Sequence, residues 1–232
     1  MKIFAVSDLH LPGNQNKPMD VFGGNWTGHW EKIRADWQLK VSEEDIVLIG
    51  GDISWAMSLE DALSDLCKIK DLPGKKVFIR GNHDYWWSGI TALRRAAPDE
   101  RFYFLQNDAI KIGNFVICGS RGWSCPGSSD FKEEDEKIYR REAERFRLCF
   151  QSVNKIRERD DVLISLIHFP HFNVKKEVSL FTQAFENAGA DTVVYGHLHG
   201  NIGAYSEEVL LNGVRYVLTS CDLRGFQLVR VY

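Results

Sequence analysis

Short polar motifs rich in aspartate and histidine recur along this chain, each after an apolar run that is typical of a buried strand. They are Asp8-Leu9-His10, Gly51-Asp52, Gly81-Asn82-His83-Asp84, His168 and Gly196-His197-Leu198-His199. Open α/β sheets gather their ligands at the carboxyl ends of the strands, so these polar groups are expected to converge there. Burial of apolar surface does not call for such a pattern. A pair of metal ions requires such a pattern, because carboxylate, imidazole and amide groups are its ligands.

The strand and helix pattern predicts an α/β fold. Uninterrupted apolar runs predict strands buried on both faces at 3–6, 46–49, 77–79, 162–167 and 192–195. Helical periodicity is found at 30–39, 59–69 and 178–188, which favours a largely parallel sheet with helices outside it. Shorter strands are predicted at 102–105, 109–112, 115–118, 214–219 and 226–231, as a second, more antiparallel sheet packed on the first. No linker or repeat divides the chain, so residues 1–232 are predicted to form one domain.

Charge and composition limit the kinds of partner and the location expected for this chain. The net charge of −3 provides no broad basic field, which argues against stable nucleic-acid binding. Residues 131–161 are the most charged stretch, and their interspersed Glu and Arg favour a solvated amphipathic helix over a basic nucleic-acid helix. There is no signal-peptide pattern and no membrane-length apolar run. Five cysteines without CxxC spacing indicate reduced thiols, so we expect a cytoplasmic protein without membrane contact.

The segment 12–28 is a long loop rich in Gly, Pro and Asn that leaves directly from the first motif. Loops of this length often cover a site, and a packed surface loop is the equal alternative. The sequence leaves both open.

Each motif alone has an ordinary structural explanation. Asp8 and His10 share one face of an extended segment but also suit a helix cap or a polar pair. Asp52 is placed either to bridge two ions or to cap a helix, and His168 is typical of a core histidine bonded to backbone. The pair His197 and His199 is the strongest single signal, since paired imidazoles at a strand end have few structural uses. Recurrence at five strand ends favours metal ligation for the set.

The full pattern resembles the calcineurin-like metallophosphoesterase superfamily, whose motifs are D-x-H, GD, GNH[DE], a lone H and GH-x-H. They are present here as SDLH, GGD, GNHD, the His168 of LIHFP, and GHLH, over residues 8–199. The resemblance implies a four-layer α/β/β/α sandwich of two packed mixed sheets, the metallophosphoesterase fold. It also implies that one ion is bound by Asp8, His10 and His199, and the other by Asn82, His168 and His197. Asp52 would bridge the two ions, and His83 would face the substrate.

The implied activity is hydrolysis of a phosphoester, with a phosphodiester or nucleotide-like substrate favoured. Two metal ions would activate a hydroxide, and His83 would act as general acid toward the leaving oxygen. The oxygen and nitrogen ligands suit Mn, Fe, Zn or Co. Asp84 is placed to orient His83 or a metal ligand. Arg121, after a predicted strand, is a candidate phosphate contact, with an ordinary surface arginine as the alternative.

Other activities on the same scaffold are a phosphomonoesterase, a protein Ser/Thr phosphatase, a nuclease and a binding module without catalysis. Protein phosphatases of the superfamily carry GDxVDRG at the second motif, whereas this chain continues as Gly51-Asp52-Ile53-Ser54-Trp55 and lacks the arginine. A nuclease would need a longer chain or a basic stripe. A non-catalytic module would have replaced ligands or His83, and none is replaced.

Overall fold

A computed structural model describes residues 1–15, 17–200 and 206–232. Its strands are β1 Ile3–Val6, β2 Ile46–Ile49, β3 Lys75–Phe78, β4 Phe102–Phe104, β5 Asp108–Ile112, β6 Phe115–Ser120, β7 Val162–Ile167, β8 Thr192–Tyr195, β9 Glu208–Leu211, β10 Val214–Leu218 and β11 Val229–Arg230. Its α-helices are α1 His29–Lys40, α2 Leu59–Lys70, α3 Ile90–Ala96, α4 Glu136–Ile156 and α5 Leu180–Asn187.

The strands form two mixed sheets, which confirms the predicted fold class. The first sheet has the order β11-β1-β2-β3-β4, parallel from β1 to β4 with β11 antiparallel at one edge. The second has the order β5-β6-β7-β8-β10-β9, with a parallel centre and antiparallel edges at β5 and β9.

The predicted division of strands between the sheets was wrong. β7 and β8 were expected in the first, parallel sheet but lie in the second, while β4 and β11 belong to the first. The second sheet is therefore mostly parallel at its centre. Strands buried on both faces have the same apolar character in either sheet, so their composition does not show which neighbours they pair with.

Three apolar clusters separate the layers. The first lies between the first sheet and helices α1, α2 and α3, where Trp37 and Leu66 are buried. The second lies between the other sheet and helices α4 and α5, and the third lies between the two sheets, with Ile3 and Val194 both part of it. Because the central strands β1 and β2 are covered on both faces, their sequences are continuous apolar runs without alternation.

Helix α4 confirms the amphipathic prediction for residues 131–161. Phe146, Cys149 and Val153 are buried against the second sheet. Many of its charges are paired within the helix: Arg140 contacts Glu136 at 2.6 Å. Within the described residues, no helix is both long and apolar enough to cross a bilayer.

Candidate metal centre

The carboxyl ends of five strands bring all of the predicted ligands to one edge of the two sheets. Asp8 and His10 follow β1, Asp52 follows β2, and Asn82 with His83 follows β3. The second sheet contributes His168 after β7, and His197 with His199 after β8. Since parallel strands all end on the same side, motifs far apart in sequence become neighbours here.

The side chains form two groups that could each hold a cation. Asp8, His10 and His199 make the first, and Asp52, His168 and His197 the second, with the candidate ligand atoms of each group within 4.8 Å of one another. In the first group, Nε2 of His199 lies 3.7 Å from Oδ1 of Asp8.

Asn82 joins the second group through its side-chain oxygen. Its Oδ1 lies 2.8 Å from Nε2 of His168 and 2.9 Å from Nδ1 of His197. Those two imidazole nitrogens are 3.3 Å apart. Two imidazole nitrogens and an amide oxygen that converge so closely fit a shared cation, which would take the place of the protons now held between them.

Asp52 lies where the two groups meet. Its Oδ2 is 3.4 Å from Nε2 of His168 in the second group and 3.9 Å from Nε2 of His10 in the first. Its Oδ1 accepts a hydrogen bond from the His83 amide at 2.8 Å. One carboxylate oxygen therefore faces an imidazole from each group, as the bridging position requires.

The backbone is unusual at this edge. Asp8, His10, Asp52 and His197 have φ between 44° and 73°, the left-handed region that residues other than glycine seldom adopt. Such conformations persist where surrounding contacts over-determine them, and they concentrate at functional sites. Here the His10 amide donates to the carbonyl of Asp52 at 3.0 Å, which joins the ends of β1 and β2.

The motif glycines permit close approach of these loops. A Cβ built on Gly81 would lie 2.1 Å from Oδ1 of Asp52, and one on Gly196 would lie 2.7 Å from Oδ2 of Asp8. Neither position can carry a side chain unless a ligand moves, which explains Gly81 and Gly196 without any special backbone angle.

Residues outside the two groups orient the imidazoles. Nδ1 of His168 lies 2.9 Å from the carbonyl of Gly50 and donates its proton to it, so Nε2 is the ring nitrogen that a cation would bind in place of a proton. Nδ1 of His199 lies 2.9 Å from Oδ1 of Asp222 in the same way. Asp222 was missed by the sequence analysis, although it follows β10 as the other motif residues follow their strands.

Asp84 does not contact the His83 ring. Its carboxylate accepts hydrogen bonds from the backbone amides of Gly81, Ile53 and Ser54 and from Nε1 of Trp86. It therefore ties the second motif loop to the third. This is a positioning role for the ligand loops, one of the two alternatives considered from the sequence.

A sequence model of the calcineurin-like phosphoesterase family matches residues 1–201. The chain belongs to this family. Membership implies a metal-dependent phosphoester hydrolase, in line with the two ligand groups at the strand ends.

Solved structures with the same fold are distant in sequence. A protein of unknown function, AQ665 from Aquifex aeolicus, is 15% identical with a TM-score of 0.52, over 99% of this chain and 95% of its own. The protein TT1561 of Thermus thermophilus is 9% identical with a TM-score of 0.58, over 98% of this chain and 96% of its own. At these identities the likeness shows the fold alone. No curated protein matches the sequence significantly.

The ionisable side chains of the candidate metal centre shift one another's pKa values. Burial favours the neutral form of His168, but the charge and hydrogen bond of Asp52 and the charge of Asp8 raise its pKa to about 9. Burial also opposes ionisation of Asp52, yet His168 and His10 hold its pKa below the usual range. A cation between Asp52 and His168 would replace the imidazolium proton, since metal binding releases protons from its ligands.

Two other ligand candidates are held neutral. Burial, partly opposed by the charge of Asp52, lowers the pKa of His10 to about 3. Burial and the charge of His168 lower the pKa of His197 to about 3 as well. Both rings therefore keep an unprotonated nitrogen at neutral pH, which metal ligation requires.

A cavity of about 330 Å³ opens beside the first ligand group. His10, His83 and His199 are part of its lining. Its walls are mainly aromatic and apolar, formed by Met19, Phe22, Trp26 and Trp55. The ring of Trp55 stacks on His10 with centroids 4.9 Å apart.

The loop 12–28 contributes to this cavity. Met19 and Trp26 are buried, whereas Phe22 is 66% exposed. The Trp26 ring lies 6.0 Å from that of His10. The described part of the loop thus lines the cavity beside the ligand groups; Asn16 lies outside the described residues.

Arg121 is the predicted site residue whose side chain the structure does not bring to the ligand groups. Its guanidinium contacts Glu142 at 3.2 Å and lies over the Trp123 ring at 4.8 Å. Only its backbone reaches the centre, because its carbonyl accepts the amide hydrogen of His168 at 3.0 Å.

Proposed function

We propose that this chain is a dinuclear-metal phosphoesterase acting on phosphodiester or nucleotide-like substrates. In this proposal one cation is held by Asp8, His10 and His199, the other by Asn82, His168 and His197, with Asp52 between them. The observation that carries the proposal is the position of Asp52, whose Oδ2 faces His168 at 3.4 Å and His10 at 3.9 Å. Mn, Fe, Zn and Co all suit this donor set.

The bound cations would supply a nucleophilic hydroxide at neutral pH and would neutralise charge on the phosphoryl oxygens. The chain's own contribution is to hold the donors in place before substrate arrives. Gly50 and Asp222 orient His168 and His199, and Asp84 joins the loops that present Asp52 and Asn82. Preorganised donors of this kind lower the cost of reaching the transition state.

His83 is proposed as the general acid. Its ring lines the cavity, 4.6 Å from the Trp55 ring and 5.8 Å from that of His10. Burial, only partly offset by Asp52, lowers the pKa of His83 in the free protein. An anionic phosphoryl group beside the ring would favour the imidazolium, so the proton is best held when substrate is bound. It would then pass to the leaving oxygen.

The cavity supports a substrate with a sizeable organic group on the phosphate. Phe22 and Trp55 offer aromatic surface on which a planar or apolar leaving group can stack. A protein phosphatase is disfavoured, because the arginine that this class carries in its second motif is missing and Asp84 is engaged by backbone amides.

The test is hydrolysis of bis-p-nitrophenyl phosphate and p-nitrophenyl phosphate by protein loaded with Mn²⁺. We expect turnover of both to require the metal, with the larger kcat/KM for the diester. A clear preference for the monoester would contradict the substrate class. Absence of turnover on either ester with Mn²⁺, Zn²⁺, Co²⁺ or Fe²⁺ would contradict the enzymatic proposal.

A further inference from the structure

A second pocket, with four arginines in its lining, lies at the same edge of the sheets as the ligand groups. It has a volume of about 320 Å³, and Arg80, Arg121, Arg141 and Arg145 line it. No residue of this arginine pocket lines the cavity that holds His10, His83 and His199. It is therefore a separate site whose chemistry the proposed function does not use.

The positive charges of the arginine pocket are only partly compensated. Glu142, which is fully buried, contacts Arg121 at 3.2 Å, Arg141 at 3.6 Å and Arg145 at 2.8 Å. Arg80 has no ion-pair partner among the described residues. Three guanidinium groups thus share one carboxylate and the fourth, that of Arg80, has none among the residues that the structure describes, which leaves a net positive charge at the pocket.

Two guanidinium groups that line the pocket each have an Nε without a partner among the described residues. Nε of Arg80 and Nε of Arg121 are buried and have no hydrogen-bond partner in the described part of the chain. Buried donors are nearly always satisfied in folded proteins, so an unpaired pair in one pocket requires an explanation. Burial and the charges of Arg80 and Arg145, against the opposing charge of Glu142, also lower the pKa of Arg121.

Neutral groups in the pocket are arranged to donate as well. Oε1 of Gln106 accepts from Nε1 of Trp87 at 3.0 Å, and Oδ1 of Asn107 accepts from the Ser120 hydroxyl at 2.9 Å. The amide nitrogens of Gln106 and Asn107 therefore remain as donors. A pocket of guanidinium and amide donors matches the oxygens of a phosphate group, which arginine binds in a bidentate manner.

From this arrangement we infer that the arginine pocket binds a phosphate-type oxyanion. Such an anion would offset the positive charge that Glu142 leaves uncompensated. The pocket adjoins the ligand groups through the backbone. Arg80 immediately precedes Gly81-Asn82-His83, and the Arg121 carbonyl accepts the His168 amide.

The direct test is equilibrium dialysis of inorganic phosphate against the metal-loaded protein and its variants. Arg80→Gln and Arg141→Gln should each weaken one class of phosphate site at least about tenfold. Arg140→Gln is the matched control, because it removes a charge from α4, the helix that carries Arg141. Arg140 contacts Glu136 and does not line the pocket. Circular dichroism and Tm would confirm that each variant is folded.

The variant Asp52→Asn distinguishes phosphate binding at the metal centre from phosphate binding in the arginine pocket. This variant should retain the class of phosphate site that Arg80→Gln weakens, whether or not the protein turns over esters. The inference is overturned if Arg80→Gln and Arg141→Gln bind phosphate as the wild type does. It is also overturned if Asp52→Asn abolishes all phosphate binding while the protein remains folded.

The anion could be free phosphate or a second phosphoryl group on the substrate, and KM values distinguish them. If Arg80→Gln raises the KM for ADP but not for p-nitrophenyl phosphate, the pocket holds a second phosphoryl group of the substrate. If neither KM changes although phosphate binding is weakened, the pocket takes a free anion. Either result supports an oxyanion site.

Discussion

Two regions of this molecule bury a histidine, one among polar groups and the other among aromatic rings. At the ligand edge, His168 is fully buried, with Gly50, Asn82 and Asp52 within 3.4 Å of its ring nitrogens. Three residues later, His171 is equally buried in an aromatic cluster under α5, made up of Phe172, Phe185, Tyr195 and Tyr216.

His171 stacks on Tyr216 with ring centroids 4.2 Å apart and planes 18° from parallel. Neither of its ring nitrogens has a hydrogen-bond partner among the described residues. Burial lowers the pKa of His171 well below its usual value, whereas Asp52 raises that of His168 to about 9 in spite of burial. Burial alone therefore does not make a histidine a ligand candidate; convergence of acceptors around it does.

The largest change expected is from Asp52→Asn, which removes the carboxylate that His168 and His10 share. Metal content should fall, and hydrolysis should drop by more than the roughly 10⁴-fold that loss of a general acid can cost. The pKa of His168 should also fall, so that this ring comes to resemble His171. Metal analysis and NMR titration of the imidazoles would measure both. A variant that kept its metals and activity would contradict the bridging role.

His83→Ala should separate catalysis from metal binding at the same edge. Because no candidate ligand is removed, metal content should equal that of the wild type, while kcat on an unactivated ester should fall by about 10²–10⁴-fold. An ester with a good leaving group, such as p-nitrophenol, needs less protonation and should lose less. Equal kcat for variant and wild type on an unactivated ester would exclude the general-acid role.

Asp222→Asn tests whether the hydrogen-bond partner of the His199 imidazole contributes to metal affinity. Asp222 accepts from His199 at 2.9 Å, and loss of such a partner typically costs about 10–100-fold in metal affinity. The exposed Asp160 provides a matched control, since Asp160→Asn removes the same charge away from the edge. Metal titration would show the difference. Equal affinities would mean that His199 does not depend on Asp222.

The smallest effect concerns the stability conferred by neutral His171. The pKa of His171 is depressed in the folded state, so the unfolded chain binds the proton first as pH falls below about 6.5. Each pH unit below that value should then cost about 1.4 kcal/mol of unfolding free energy from this group. His171→Phe should flatten the profile measured by urea denaturation between pH 5 and 7.

Tyr216→Phe is the control for His171→Phe, because it keeps the stacked ring pair and the titrating imidazole. Its pH profile should run parallel to that of the wild type. If His171→Phe left the slope below pH 6.5 unchanged, the ring would already be titrating in the folded protein, and its isolation from polar partners would be refuted.

Local sequence predicted much of this fold. β1, β2, β7 and β8 begin and end where the apolar runs do, because strands covered on both faces need no alternation. Sheet membership was not predictable in the same way. β4 pairs with β3 and β11 with β1, and such pairings depend on partners distant in sequence.

The residues of the candidate site were also predictable only in part. Asp8, Asp52 and His197 were identifiable because each belongs to a motif of several residues. Asp222 was not, since a lone aspartate after a strand has no companion to mark it. Glu142 was assigned to a solvated helix face, yet it is fully buried among three arginines.

The sequence by itself determined where polar groups interrupt apolar runs, and hence which strand ends carry metal-binding chemistry. Only the tertiary structure decided that the ends of both sheets meet. The carboxylate of Asp8 accepts the amide hydrogen of His197, which is 189 positions away, at 3.0 Å. The left-handed backbone of Asp8, His10, Asp52 and His197 is held by such contacts. Local sequence disfavours this conformation outside glycine, so only long-range packing can impose it.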